Sequence, residues 1–427
     1  MELLYRLGAR WRNPSLFPRY RLLKETEGWS LDRLRAYQTE QCRKLLRFAD
    51  EHSPYYHDLF RKMGFQPGRF QSLEDLEALP LLDKKTLLQE NARIHTDYPF
   101  RKTFPCETSG TTGQVLTFRR DEAWDSANRA ALMRGYSWYD VKPWDRNIYL
   151  WGFNIERWQR LRVRMLDILQ NRFRVFSYDQ SQIQRLAKHT RKAVFLHGYS
   201  SMIYEIAKAY NEDPHLPPPE RLKLVKGTSE KIFDAYQEAA RKAFGRRIIS
   251  EYGAAEAGLI AFECPQGKMH VHMEGCYVEE VEGEVVVTNL LSFSFPIIRY
   301  RLGDSVDLAP EGYICPCGME HEVIEDVLGR VGQVVYGKEG RYPSLTFYYV
   351  FKNLFFEKGL SLSYQARQEA KGEVLIDIEQ DVPEVEGLIR EELDKNFGSD
   401  LEATIRFGQT SLGAQAKRRD FLSLVDE

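Results

Sequence analysis

The sequence predicts an alternating α/β fold, followed by a β-rich stretch and a smaller α+β unit. Three observations predict it. Between residues 121 and 253, helical and strand patterns alternate: DEAWDSANRAALMRGYSWY (121–139) reads as a helix opened by acidic residues, and NIYLWGF (147–153) and AVFLHGY (193–199) as short buried strands. KLVKGTSE reads as a strand ending at a turn, KIFDAYQEAARKAF as an amphipathic helix, and RIISEYG as the next strand. From 276 to 308, CYVEEVEGEVVVTNLL and PIIRYRLGDSVDL carry the β-branched runs and Glu-Gly turn of hairpins. Near the end, the strands EVLIDIEQ and ATIRFG flank the helix VEGLIREELDKNF.

Upstream, apolar positions recur at helical spacing from Leu31 to about Met63, with Gly64 as the expected C-cap. The stretch MELLYRLGARWRNPSLFPRY sets Arg6, Arg10, Arg12 and Arg19, with Arg21 just beyond, among Leu and Trp; it reads as a helix covering the body or as one lying at a membrane interface. NEDPHLPPP, 211–219, is a Pro-rich loop.

At 427 residues the chain exceeds a usual single core, so several domains are expected. Hydrophobic residues at 43% and charged residues at 29% fit a packed globular enzyme and exclude a disordered or collagen-like chain. A net charge of −2 provides no overall field for nucleic acid, which is excluded as the main partner. Nowhere do enough apolar residues run together for a transmembrane segment, and the expected location is cytoplasmic. Six cysteines are too few for a disulfide framework, yet Cys264, Cys276, Cys315 and Cys317 fall close together.

Five segments carry chemistry. In TSGTTG, 108–113, Gly110 and Gly113 let the backbone approach an anion while Thr108, Ser109, Thr111 and Thr112 supply hydroxyls; an ordinary polar turn is the other reading. Gln114-Val115-Leu116 follows where a P-loop would place Gly-Lys-Ser/Thr, which argues against a P-loop NTPase. SEYGAAEAG, 250–258, sets Tyr252, Gly253, Ala254 and Glu256 just after a strand; Glu256 reads as a metal-holding carboxylate or as a helix cap. In RYRLGDSVDL, Asp304 is placed to accept from a diol such as a ribose, or is a turn residue. LGRVG puts Arg330 between glycines at a hinge-like junction. SLGAQAKRRDF holds Lys417, otherwise a residue of a solvated basic tail.

In this order the five segments resemble the adenylate-forming acid ligases: acyl-CoA synthetases, peptide-synthetase adenylation domains and luciferases. LLRFADEHSPYYHDLFRKMGFQPGRFQSLEDLEALPLLDKKTLL, 45–88, is similar to the phenylacetate-CoA ligase branch and its CapK-type members. The resemblance implies a large N-terminal adenylation domain, 1–328, with mixed α/β layers and a β-rich subdomain, plus a small mobile α+β lid, 329–427. It implies that a carboxylic acid attacks the α-phosphate of ATP, giving an acyl-adenylate and pyrophosphate, and that coenzyme A then displaces AMP; an amine, sugar or carrier protein is the alternative acceptor. TSGTTG would cradle the β- and γ-phosphates, with Tyr252, Gly253 and Ala254 beside the adenine and acyl site. Glu256 would help hold Mg²⁺, Asp304 would bind ribose with Arg330 in support, and Lys417 would place its charge at the carboxylate and α-phosphate. A homodimer is admitted. Two positions depart from the pattern: Gln333 stands where the hinge aspartate is expected, and Ala416, not Gly, precedes Lys417. They keep a reading of another class open, an inactive nucleotide-binding scaffold.

Cys264, His270, Cys315 and Cys317 offer three thiolates and an imidazole, a set suited to structural Zn²⁺, with Pro and Gly beside them as in knuckle turns. His272, Cys276 and His321 compete for the role, and buried free thiols are the alternative. A knuckle at 264–317 would pin the hairpin region. Trp138, Tyr139, Trp151, Phe153 and Tyr199 lie near the strands where the resemblance places the acid pocket; they read as core or as its lining.

Overall fold

The computed structural model describes residues 1–425 except 109–114, 151–156, 176–185, 187, 188, 230, 231, 233, 283, 305, 311, 328–333, 361, 363, 379 and 410–420. Its opening segment is helical, as Glu2–Arg12, Leu16–Thr26, Leu31–His52 and Pro54–Met63. Ser30 caps the third helix by accepting from the Arg33 amide, and Gly64 ends the fourth at φ 65°. The helical run expected from Leu31 to Met63 is broken at Ser53, which is extended at φ −111°, ψ 111°. Pro54 is the cause: it has no N–H to continue the ladder and pushes the preceding residue out of the α region.

Strands β1 (Thr103–Glu107) and β2 (Thr117–Asp121) form an antiparallel hairpin, and Asp121 then caps the helix Glu122–Ser137 through the Trp124 amide. The parallel part of the main sheet follows: β3 (Asn147–Leu150), β4 (Arg172–Val175), β5 (Phe195–Tyr199), β6 (Leu224–Thr228) and β7 (Ile248–Ala254). Parallel neighbours need crossovers, supplied between β5 and β7 by the helices Ser200–Glu212 and Asp234–Phe244. Ile148, Leu196, Val225 and Ile248, in register on one face, bury against these helices.

At β7 the sheet changes character. Strands β8 (Gly258–Glu263) and β9 (Met269–Val271) pair antiparallel. The hairpin β10 (Cys276–Val281) and β11 (Glu284–Asn289) with β12 (Tyr300–Arg301) makes a separate sheet, turned at Glu282. Then β13 (Val306–Leu308) and β14 (Val323–Val327) complete the nine-stranded order β13-β14-β9-β8-β7-β6-β5-β3-β4. Among the described residues both edges are short, β13 bulged between Asp307 and Leu308 and β4 carrying Arg172 and Arg174. The opening helices pack with this antiparallel region around Leu45, Leu76, Ile260, Val287 and Phe295.

Residues from 334 onward gather a core of their own around Val335, Phe347, Tyr364, Ile376 and Phe421. It comprises the hairpin β15 (Val334–Tyr336) and β16 (Arg341–Pro343) and the helices Leu345–Lys358 and Glu386–Phe397. Its mixed four-stranded sheet contains β17 (Tyr364–Gln368), β18 (Glu373–Ile378), β19 (Glu402–Arg406) and β20 (Phe421–Ser423) in the order β19-β18-β17-β20. The expected α/β, β-rich and α+β pattern is thus present. The expected junction at 328 and 329 lies outside the described residues.

Candidate functional site

The hairpin β1–β2 closes the base of the TSGTTG segment. Thr108 is buried; its amide donates to the Leu116 carbonyl at 2.9 Å and its Oγ1 accepts from the Leu116 amide at 3.3 Å. Ser109, Gly110, Thr111, Thr112 and Gly113 lie outside the described residues. On β2, the Arg120 guanidinium donates to the Ala255 carbonyl, tying this hairpin to the turn between β7 and β8.

That turn is built for close approach. A Cβ on Gly253 would lie 2.4 Å from the Gly258 carbonyl oxygen, and Gly258 sits at φ +80°. Tyr252, at the end of β7, donates its hydroxyl to Asp304 Oδ2 at 3.0 Å. Tyr300 donates to Oε1 of the buried Glu256 at 2.8 Å, and Asn289 Nδ2 fixes the Glu256 carbonyl at 3.1 Å. The Asp304 carbonyl accepts from the Val285 amide at 2.9 Å. The structure therefore brings Thr108, Tyr252, Gly253, Ala254, Glu256 and Asp304 to one region, at the carboxyl end of β7. Parallel strands commonly offer their ligand crevice at this end. Arg330 and Lys417 lie outside the described residues.

Sequence reasoning missed Tyr300. It belongs to the segment that supplied Asp304, but only the pairing of Tyr300 with Val287 across β11 and β12 turns its hydroxyl onto Glu256. Also missed is a polar row across the parallel strands, where Arg174, Tyr149, His197 and Lys226 are register neighbours. Lys226 Nζ lies 2.5 Å from Glu251 Oε1, directly before Tyr252. The Asn147 amide nitrogen donates to backbone carbonyls, so its Oδ1 is the acceptor and His197 Nε2–H donates to it at 3.3 Å. Burial, then the charges of Lys226, Arg172 and Arg174, hold the His197 pKa well below the usual histidine value.

Among the aromatic residues, Trp138 Nε1 donates to Glu27 at 2.8 Å and Tyr139 donates to the Glu263 carbonyl at 2.9 Å, both packed as core. Tyr199 is buried, its hydroxyl bonded to that of Tyr349. Trp151 and Phe153 lie outside the described residues.

A second cluster forms at the far end of β8. Cys264 follows the strand, His270 lies on β9, and Cys315 and Cys317 come from the loop between β13 and β14. Their ligand atoms all lie within 4.8 Å of one another. The Cys264 and Cys315 sulfurs are 3.8 Å apart, no disulfide, and equal to the edge of a tetrahedron with Zn–S bonds of about 2.3 Å. Cys317 Sγ lies 3.2 Å from His270 Nε2, while His270 Nδ1 faces the His321 carbonyl at 3.3 Å, an outer contact that leaves Nε2 to the cluster. The competitors are engaged elsewhere. His272 and His321 flank the buried Glu274, at 3.8 and 3.0 Å, and Arg134 meets Glu274 at 2.6 Å. Burial alone would raise the Glu274 pKa, but Arg134, with His321 and His272, holds it well below the carboxylate range. Cys276 Sγ donates to the His272 carbonyl at 3.4 Å.

The fold is similar to that of solved acyl-CoA ligases. Over 94% of this chain and 91% of the other, it matches 2-hydroxyisobutyryl-CoA ligase in complex with 2-HIB-AMP and CoA in the thioesterification state, at a TM-score of 0.64 and 18% identity. An open conformation of the same ligase matches at 0.60 and 17% identity, over 94% of this chain and 93% of that one. No family model matches the chain. In sequence it is 25% identical over 363 residues to phenylacetate-coenzyme A ligase of Thermus thermophilus, spanning 73% of each protein. It is 21% identical over 287 residues to the protein CapK of Staphylococcus aureus, spanning 64% of this chain and 63% of CapK. A shorter match, 32% over 90 residues, links 20% of the chain with 23% of indoleacetate–lysine synthetase of Pseudomonas savastanoi. The chain is therefore similar to the adenylate-forming ligases, with phenylacetate-CoA ligase and CapK among its relatives.

Proposed function

We propose that the chain is an AMP-forming acid–thiol ligase that activates an aryl or acyl carboxylic acid with ATP and passes it to coenzyme A. The observation that supports this most is the convergence at the β7–β8 turn: Asp304 held by Tyr252, Glu256 held by Tyr300, and the Thr108 hairpin tied in by Arg120. An acid oxygen attacks the α-phosphorus and pyrophosphate leaves; the coenzyme A thiol then adds to the acyl carbon and AMP leaves. The Asp304 carboxylate accepts from ribose hydroxyls, and Tyr252 orients that carboxylate beside the adenine and acyl region. Residues Ser109–Gly113 receive the outer phosphates, with Thr108 fixing the base of their loop. Glu256 would hold the Mg²⁺ arriving with ATP, which would neutralise phosphate charge. Lys417 supplies a cation at the α-phosphate and Arg330 supports the ribose.

We assign residues 1–328 to the adenylation domain and 329–427 to a lid that carries Lys417. Cys264, His270, Cys315 and Cys317 fit structural zinc, which would pin two loops and leave no ligand position open. Mostly buried free thiols suit a reducing cytoplasm. The indoleacetate–lysine synthetase match favours a second reading, transfer of the acyl group to an amine.

The test is ATP- and Mg²⁺-dependent release of AMP and pyrophosphate over aryl, fatty and amino acids, with hydroxylamine as trap, with and without coenzyme A. Hydroxamate identifies the acid, and a thioester product identifies the acceptor. ATP binding without turnover across the panel supports the scaffold reading, and absence of ATP binding rejects the nucleotide site.

A further inference from the structure

Two helices expose apolar side chains. In Glu2–Arg12, Tyr5 and Ala9 pack on Leu16, Ala130 and Met133. Leu3, Leu4, Leu7 and Trp11, which the 3.6-residue period gathers on the opposite side, are exposed at 70%, 53%, 54% and 82%. In the stretch 163–169 of the helix Arg157–Leu169, where side chains are described, Asp167 is buried and paired with Arg174 at 3.0 Å, while Met165, Leu166, Ile168 and Leu169 face outward.

The two helices share a flank. Asn171, just past the second helix, donates from Nδ2 to the Trp144 carbonyl at 3.2 Å. The Trp144 ring lies 5.6 Å from the Tyr5 ring and 5.4 Å from the Arg6 guanidinium. Of the thirteen large apolar side chains exposed among the described residues, eight belong to these two helices, which the contacts of Trp144 bring to one flank. Cations surround it: Arg6, Arg10 and Arg164 are exposed, and Lys102 Nζ donates to the Trp11 carbonyl at 2.9 Å.

We propose that this face seats on an anionic lipid bilayer, its leucines, Trp11 and Ile168 entering the boundary between headgroups and acyl chains and its arginines meeting lipid phosphates. Charge selects the lipid over a second copy of the chain. A self-pairing of this face would oppose arginines to arginines, because the acids of the two helices, Glu2 and Asp167, are already paired with Arg6 and Arg174.

The experiment is flotation of the full chain with vesicles of equal phosphatidylcholine and phosphatidylglycerol, or of phosphatidylcholine alone, at low and high salt. Wild type is expected to float with the anionic vesicles and to be released by salt. Arg10→Glu is expected to weaken that binding by roughly five-fold or more. The double variant Trp11→Glu/Ile168→Glu, at exposed positions, is expected to stay behind with an unchanged thermal midpoint. Failure of wild type to float, equal flotation with phosphatidylcholine alone, or equal flotation of the double variant would overturn the proposal. So would a wild-type dimer in sedimentation velocity that the double variant dissolves, since the face would then belong to a second copy.

Discussion

The two side-chain clusters sit at opposite ends of one strand, and their construction differs. Glu256 stands two residues before β8 and Cys264 directly after it, a separation of about 20 Å for a strand of that length. In the cysteine cluster, four ligand atoms lie within 4.8 Å of one another. In the carboxylate cluster, each acid is met by a tyrosine hydroxyl that aims it without neutralising it. In the proposed function the first arrangement would fasten loops and the second would present charge to a nucleotide that comes and goes, so that a single strand would tie a staple to a reaction site.

If that division is right, damage at one end should cost stability and damage at the other should cost turnover. The largest effect is expected from Cys315→Ser with Cys317→Ser: zinc disappears in elemental analysis and unfolding free energy falls by about 4–5 kcal/mol or more. Wild-type protein purified without zinc would refute the staple. Next, Glu256→Gln is expected to slow adenylate formation on the order of 100-fold while the zinc content and thermal midpoint stay as in wild type. A parallel loss of stability would erase the contrast. Asp304→Ala should weaken ATP binding by roughly 1–3 kcal/mol, the cost of leaving buried donors unmatched; unchanged affinity in calorimetry would move the ribose site elsewhere. Smallest is Tyr252→Phe, which removes one hydrogen bond and should cost about 1 kcal/mol in ATP affinity. An effect as large as that of Asp304→Ala would mean that Tyr252 itself touches the nucleotide.

The two ends were not equally legible in the sequence. Cys264, His270, Cys315 and Cys317 could be chosen over His272, Cys276 and His321 by ligand chemistry and neighbouring turn residues, and the structure gathers that set. At the other end, Tyr252, Glu256 and Asp304 are recognisable by order and residue type, but the approach of Tyr300 to Glu256 depends on strand register. Thr108 was picked for its hydroxyl; its backbone role in closing the hairpin needs the β1–β2 pairing to be known. The Arg134–Glu274 pair is invisible in sequence because its members come from a helix and a loop 140 residues apart. In the fold, strands and helices followed their periodicity. Pro54 signals the break at Ser53, although the apolar spacing continues through it.

The two edges of the main sheet bear on how the protein behaves when crowded. A sheet of nine strands invites other chains to add to its margins. Here one margin is a three-residue strand interrupted by a bulge, and the other is four residues long with two arginines in it. Among the described residues, neither margin offers the long, flat, uncharged template on which fibrils and edge-to-edge aggregates grow. The breadth that lets the sheet carry both clusters is there bounded by edges that disfavour addition of a further chain.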